Sequence, residues 1–270
     1  MQMPILSTEL VHRIEVSDFE VMSGRMKAVA NRSGNPFDVM FTEFGEATAI
    51  SAKNLPRDFN KLWGLGPRDL CRLDEIVHHY DSRNPDFALD LIPSQFDETT
   101  ALALREKGFF QYGFHTALYG VPSLAHTLMP VSVQVSKCKP DQARLFAELF
   151  HRSLELPPDI AENEESFYFL LQDPRWWLYI GYLDEVPVAF SMMFRGDDGI
   201  ACFGMAGTLP GYRGRGLQSA MLAARMEDAK KAGCQIVTAQ AEYGSTSFRN
   251  LLKAGFYVAY TKAVWRRFNH

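Results

Sequence analysis

The chain is poor in the residues that build metal and disulfide sites. Its four cysteines, Cys71, Cys138, Cys202 and Cys234, lie far apart, and no CxxC or HxxxH spacing occurs. That argues against a zinc centre and leaves the cysteines as small apolar residues of a reducing, cytoplasmic compartment. His78 and His79 are neighbours in sequence and point in different directions on a helix or strand, so they do not form a ligand pair. No run approaches the roughly 20 apolar residues needed to cross a bilayer. The opening "MQMPILSTELVHRIEVSDFE" lacks the basic segment and apolar stretch of a secretory leader. An excess of positive charge is missing too: the net charge is −4, which disfavours broad binding to nucleic acid. There is no GxxxxGK[ST] phosphate loop, and no GxGxxG follows a first parallel strand.

What is present is the composition of a globular protein, 270 residues with 47% hydrophobic and 22% charged, enough for one large or two modest domains. Two segments rhyme. "KGFFQYGFHTALYG" (Lys107–Gly120) and "AGFYVAYTKAVWRR" (Ala254–Arg267) each follow a helical stretch, pass through Gly-Phe and continue as an aromatic, β-branched strand. Glycine is a usual helix stop because it takes the left-handed conformation without strain. A connector with Pro122 and Pro130 separates the two halves. The expected domains are therefore residues 1–121 and 129–270.

In the second half, "VSVQVSK" alternates as a strand, and "PDQARLFAELFHRSL" has a helical face at Ala143, Phe146, Ala147 and Phe150. "EESFYFLLQ" reads as a second helix. Three strands follow from Arg175 to Leu209, divided by the turn sequences "DEVP" and "GDDG". A helix covers about Leu217 to Ala232, with Lys230 and Lys231 suited to its C-terminal dipole and Gly233 beyond it. "CQIVTAQAE" is a strand, "STSFRNLLKAG" a short helix and "FYVAYTKAVWRR" the last strand. The first half is an abridged version: strand-like "DVMFTEFGEATAISAKN", helical "PRDLCRLDEIVHHYDSRN", strand-like "DFALDLIP" and helical "DETTALALREKG".

The chemistry concentrates in "TLPGYRGRGLQSAML". A strand ends, Gly211, Gly214 and Gly216 let the backbone curl, Arg213 and Arg215 add charge, and a helix begins. Free amides at a helix start and full positive charge suit a phosphate or diphosphate.

Element order and "YRGRGLQSAML" together resemble the GNAT superfamily of acyl-CoA-dependent N-acyltransferases, whose signature [Q/R]xxGx[G/A] opens the helix that binds the coenzyme A diphosphate. Arg213 takes the first position and Gly216 the central glycine; Gln218 stands where the family usually has Gly or Ala. "LLKAGF" (Leu251–Phe256) resembles the penultimate helix and last strand. The resemblance covers about 140 C-terminal residues, and the first half is similar to the same fold without a basic glycine loop, as in tandem members with one degenerate half. It implies an α/β (α+β) fold of two GNAT-like domains, each a mixed, mostly antiparallel sheet flanked by helices. It also implies acetyl-CoA as co-substrate, no metal, and a small-molecule or peptide amine as acceptor, with neither nucleic acid nor membrane as a partner. The implied coenzyme contacts are Ala206, Gly207, Thr208 and Leu209 along the pantetheine arm and Arg213, Gly214, Arg215, Gly216, Leu217, Gln218 and Ser219 at the diphosphate, with Ser247 and Asn250 beside the arm. Glu242, ending the strand after the diphosphate helix, is the candidate proton acceptor. Leu251 replaces the tyrosine that many relatives use as general acid, and Gly244 replaces a frequent asparagine. Tyr243, Tyr257 and Tyr260 are the substitutes at hand. Glu162, Glu164 and Glu165 form an acidic loop facing either solvent or a cationic amine. Of Trp176 and Trp177, alternation sends one inward and one outward.

Overall fold

A computed structural model describes residues 3–123, 132–156 and 162–268. The chain forms two compact units, one of Met1–Ala28 with Ala117–Ala259 and one of Val29–Thr116 with Tyr260–His270. This differs from the expected division at 121/129 at both ends of the chain. The first helix belongs with the C-terminal half, and the end of the last strand belongs with the N-terminal half. The connector expected at 122–130 lies largely outside the described residues.

In the first unit, β6 (Val133–Lys137), β7 (Trp176–Leu183), β8 (Val186–Arg195) and β9 (Ile200–Thr208) run antiparallel in that order, and β10 (Ile236–Ala241) joins β9 in parallel. The β7–β8 turn uses Asp184 and Glu185, both with left-handed φ, as the expected hairpin requires. Helices α4 (Ala143–Leu154) and α5 (Glu164–Gln172) pack Phe146, Phe150 and Phe167 around Phe190 of β8. On the opposite face lies α6 (Leu217–Lys231), whose Met221 and Leu217 press on Gly181 of β7. The short α7 (Thr246–Lys253) follows β10.

Helix α1 (Thr8–Ala30) adds a further layer on the α4 face. Its Gly24 lies against the Trp176 indole and its Val21 against Gly204 of β9. Two ion pairs fix it within the unit, Arg13 to Asp198 (3.1 Å) and the bidentate Arg25 to Glu162 (2.6 and 2.7 Å). Glu162 is thus consumed by Arg25 and is 1% exposed, which removes it from the acidic loop anticipated for a cationic substrate. The rest of that loop, residues 157–161, lies outside the described residues, while Glu164 and Glu165 sit in the first turn of α5. Trp176 is the inward indole. Trp177 lies under the Lys137 ammonium, 3.6 Å from the ring centre.

The second unit repeats the order on a smaller scale. β1 (Met40–Phe44), β2 (Ala47–Ser51) and β3 (Lys61–Trp63) are antiparallel; a 3-10 turn (Pro67–Arg72) leads into α2 (Leu73–Asp81); β4 (Ala88–Leu91) returns parallel to β3; α3 (Glu98–Glu106) follows. Its core gathers Leu62, Leu73, Ile76, Tyr80, Phe87, Leu89, Leu104 and Phe109.

Each unit is completed by the strand that follows the other's last helix. In the second unit β11 (Tyr257–Arg267) pairs antiparallel with β4 through Ala263–Arg266. In the first unit the end of β5 (Phe109–Gly120) places Gly120 against Val237 of β10. The rhyming segments are these two exchanged strands, and Gly108 and Gly255 before them both take left-handed φ (78° and 90°).

Candidate functional site

β9 and β10 are hydrogen-bonded partners only from Ile200/Ile236 to Phe203/Ala239. Beyond that point β9 runs on to Thr208 with no β10 partner, and Gly204–Thr208 are all partly exposed. The divergence has a local cause. Ser191 pairs with Ala206 and Met193 with Phe203, so Gly204 and Met205 together face Met192 across a β-bulge, which bends the strand away. Arg225 of α6 supports the bulge from below. It is 2% exposed, donates to the carbonyls of Met221 (3.2 Å), Met192 (3.2 Å) and Gly204 (3.4 Å), and lies 4.6 Å from the centre of the Phe203 ring. Burial lowers its pKa to about 10. The expected pantetheine contacts Ala206, Gly207 and Thr208 lie on this unpartnered stretch, while Leu209 is buried and donates its amide to Val188. Glycine is required at 207 because a Cβ there would lie 2.6 Å from the Phe190 ring and 2.8 Å from Ser153.

The strand ends in a 3-10 turn, Pro210–Tyr212, and the loop then curls through left-handed Gly214 (φ 77°) and Gly216 (φ 83°) into α6. Arg213, Gly214 and Arg215 are exposed. The start of α6 differs from those of α3, α5 and α7. Those three carry side-chain caps, Asp97, Asn163 and Ser245, that accept from the helix amides. The N-cap of α6 is Gly216, which has no side chain to do so, and the first turn holds no acid. The amides of Leu217, Gln218 and Ser219 therefore begin a 15-residue helix with its positive end uncapped, a suitable place for an anion.

The two loop arginines have different surroundings. Arg215 lies near the Tyr212 ring (5.6 Å). Arg213 turns back: its Nε donates to the Thr208 carbonyl (3.2 Å), and one amino group donates to the Ser153 carbonyl (3.0 Å) and to Glu155 Oε1 (3.2 Å). It ties the loop to the end of α4, so the loop geometry depends on it. Gln218, at the position usually small in the family, accepts from Asn250 Nδ2 of α7 at 2.6 Å. That bond joins two of the expected coenzyme residues. Ser247 is exposed on the same helix.

Glu242 is exposed one residue past β10, and its carbonyl closes a turn by accepting from the Ser245 amide (3.1 Å). Leu251 is buried in the core. Tyr243 and Tyr257 are exposed, and Tyr243 lies against Phe248. Sequence reasoning missed Arg225 and helix α1. A lone arginine amid "MLAARMEDAK" gives no sign of burial. The buried stripe of α1 is interrupted by Glu15 and Ser17, which blurs its period.

A diverging parallel pair followed by a glycine-rich turn and an uncapped helix is the arrangement of the GNAT fold. Residues 143–256 match the family model described as "Acetyltransferase (GNAT) family". Solved structures with the same fold include a GCN5-related N-acetyltransferase from Kribbella flavida (14% identity, TM-score 0.66, covering 93% of this chain and 95% of that one). Another, from Sphaerobacter thermophilus, has 17% identity and a TM-score of 0.61 over 83% and 81% of the two chains. A tandem GNAT protein from the clavulanic acid biosynthesis pathway has 14% identity and a TM-score of 0.59 over 92% and 94%. No curated protein matches the chain in sequence. Among the described residues, no helix is long and apolar enough to cross a membrane.

Proposed function

We propose that the protein transfers an acetyl group from acetyl-CoA to the primary amine of a small molecule or peptide, using the first unit, and that the second unit is a degenerate GNAT-like domain. The observation that carries this reading is the coincidence, at one end of β9, of an unpartnered strand edge and an uncapped helix start. The residues fit the coenzyme. The amides of Leu217, Gln218 and Ser219, with Gly214, Arg215 and Gly216, hold the diphosphate. The backbone from Ala206 to Thr208 offers peptide groups to the pantetheine arm in place of a strand partner. Arg213 holds the turn in shape, and the Gln218–Asn250 pair lies beside it. When bound, acetyl-CoA supplies an activated acyl thioester. Glu242 takes the amine proton, directly or through water; much of the remaining acceleration comes from fixed positioning.

The buried, apolar Leu251 favours a second reading, a non-catalytic acyl-CoA-binding or regulatory protein, because it leaves the usual proton donor's place without an ionisable group. Calorimetric titration with coenzyme A and mass spectrometry of an amine panel incubated with acetyl-CoA separate the two. Binding with acetylated product supports the enzyme; binding without product across the panel supports the second reading. Absence of binding removes both.

A further inference from the structure

In the second unit, three consecutive residues at the end of β2 are tied to the end of α2. The Tyr80 hydroxyl donates to the Ile50 carbonyl (3.2 Å), and Asn84 Nδ2, just past the helix, donates to the Ala52 carbonyl (3.1 Å). Between them, Ser51 Oγ meets two side chains, Arg83 Nε at 2.7 Å and His79 Nε2 at 3.1 Å. Arg83 also holds the turn before β1, donating to Asp38 Oδ2 (3.2 Å) and to the Asp38 carbonyl. Asp38 has left-handed φ (46°) and shares its carboxylate with Lys53 (2.9 Å). Ser51 is 0% exposed and the Arg83 side chain 10%. The serine–histidine pair therefore has no access to a substrate and acts within the fold.

Arginine can only donate, so Ser51 Oγ accepts from Arg83. The hydroxyl hydrogen is then directed at His79 Nε2, which accepts it as the bare nitrogen of a neutral ring protonated on Nδ1. Protonation makes Nε2 a donor. Two cations then face one buried hydroxyl, and its hydrogen loses its acceptor. The surroundings do not offset this. From β1, Phe44 meets the imidazole edge to face (5.6 Å). Glu43 alternates to the other face of that strand, and Glu46 beyond it pairs with Arg68 (3.1 Å). On α2, Glu75 lies one turn earlier and pairs with Arg72 (3.4 Å). Asp38 is already held by Lys53 and Arg83. Burial, and after it the Arg83 guanidinium, keep the His79 pKa below the ordinary histidine value of 6.5.

We propose that Ser51, His79 and Arg83 form an acid-released clasp: protonation of His79 frees the end of α2 from β2 and from the Asp38 turn, and loosens the second unit in mildly acidic surroundings. The Tyr80 and Asn84 bonds do not change near neutral pH, so the clasp alone of these three links responds. The sign follows from the lowered folded-state pKa. The unfolded chain takes up the proton first, so the stabilisation is complete above about pH 6.5 and declines as pH falls below it. The clasp lies wholly in the second unit and is independent of the acetyltransferase reading.

The test uses the full-length protein. NMR titration of the His79 imidazole is expected to give a pKa below 6.5, with the Nδ1–H tautomer above it. Ser51→Ala removes the hydrogen that His79 accepts and should move the titration back toward 6.5. The amides of Val39, Ala52 and Lys53 are hydrogen-bonded beside the clasp. Their exchange protection, corrected for intrinsic rates, should fall at least about threefold between about pH 7.5 and 5.5. His79→Gln should abolish that fall, because its side-chain carbonyl accepts from Ser51 at every pH. A wild-type His79 titrating at or above 6.5, an unchanged titration in Ser51→Ala, or the same loss of protection in His79→Gln overturns the proposal. The two imidazole titrations decide it even where His79→Gln does not fold.

Discussion

The two units reach the same strand–turn–helix arrangement with opposite electrostatics. In the first, β9 passes through glycines and arginines into α6, which has neither a capping side chain nor an acid in its first turn. In the second, β3 passes through Gly64 and Gly66 into Pro67–Arg72 and α2, whose first turn carries Asp74 and Glu75. Asp69 in that turn is buried and accepts from the Glu46 amide (3.1 Å). The second unit thus sets its own carboxylates at the helix start, Asp74 paired with Lys107 and Glu75 with Arg72. The first leaves the same potential unanswered. One backbone plan is self-contained in one unit and open to an anion in the other, and a few side chains at the helix start decide which.

The strongest way to break this contrast is Gly216→Asp. It sets a non-glycine residue at φ 83° and a carboxylate at the start of α6, making α6 resemble α2. Coenzyme A affinity by titration calorimetry is expected to fall at least about 30-fold. Arg225→Met removes the guanidinium that donates to the Met192 and Gly204 carbonyls at the bulge and to Met221 of α6, and is expected to cost about 2–4 kcal/mol in urea unfolding. An unchanged midpoint would mean that the bulge holds itself.

The structural charges of the second unit sharpen the comparison. Asp90 of β4 is largely shielded, its side chain 11% exposed, beside Lys61 (3.1 Å) and Lys262 (3.7 Å). Burial alone would raise its pKa, but Lys61, Lys262 and His115 outweigh that and hold it to about 2. With its folded pKa below the unfolded value of 3.8, its stabilisation is complete above the latter and is lost as pH falls through about 2. That contribution is on the order of 2 kcal/mol, and Asp90→Asn should flatten the acid limb of the stability curve. The smallest effect is expected from Arg213→Ala. Its pair with Glu155 is more than half exposed on both sides and contributes under about 1 kcal/mol. The altered loop should weaken coenzyme binding about three- to tenfold.

The order of elements from β6 to α7 was legible because each carries a local signal: alternation in β6, an apolar face on α4, turn residues at Asp184 and Glu185, and glycine stops at Gly233 and Gly255. The glycine- and arginine-rich turn before α6 was legible for the same reason, since those residues are contiguous. The exchange of final strands was not. β5 and β11 have nearly interchangeable patterns, and which neighbour each pairs with depends on contacts far away in sequence. Nor was the role of Arg213, whose basic charge implied contact with a ligand, whereas its partners at Ser153 and Glu155 come from a helix some 60 positions earlier.

That exchange also limits how the protein can be taken apart. A cut in the Pro122–Pro130 connector would yield two fragments, each ending in a strand that serves the other's sheet. Neither should persist alone as an ordered domain, while the two produced together should reassociate. The boundary that looks natural in sequence is therefore a poor place to truncate the protein but a sensible one for a split reporter.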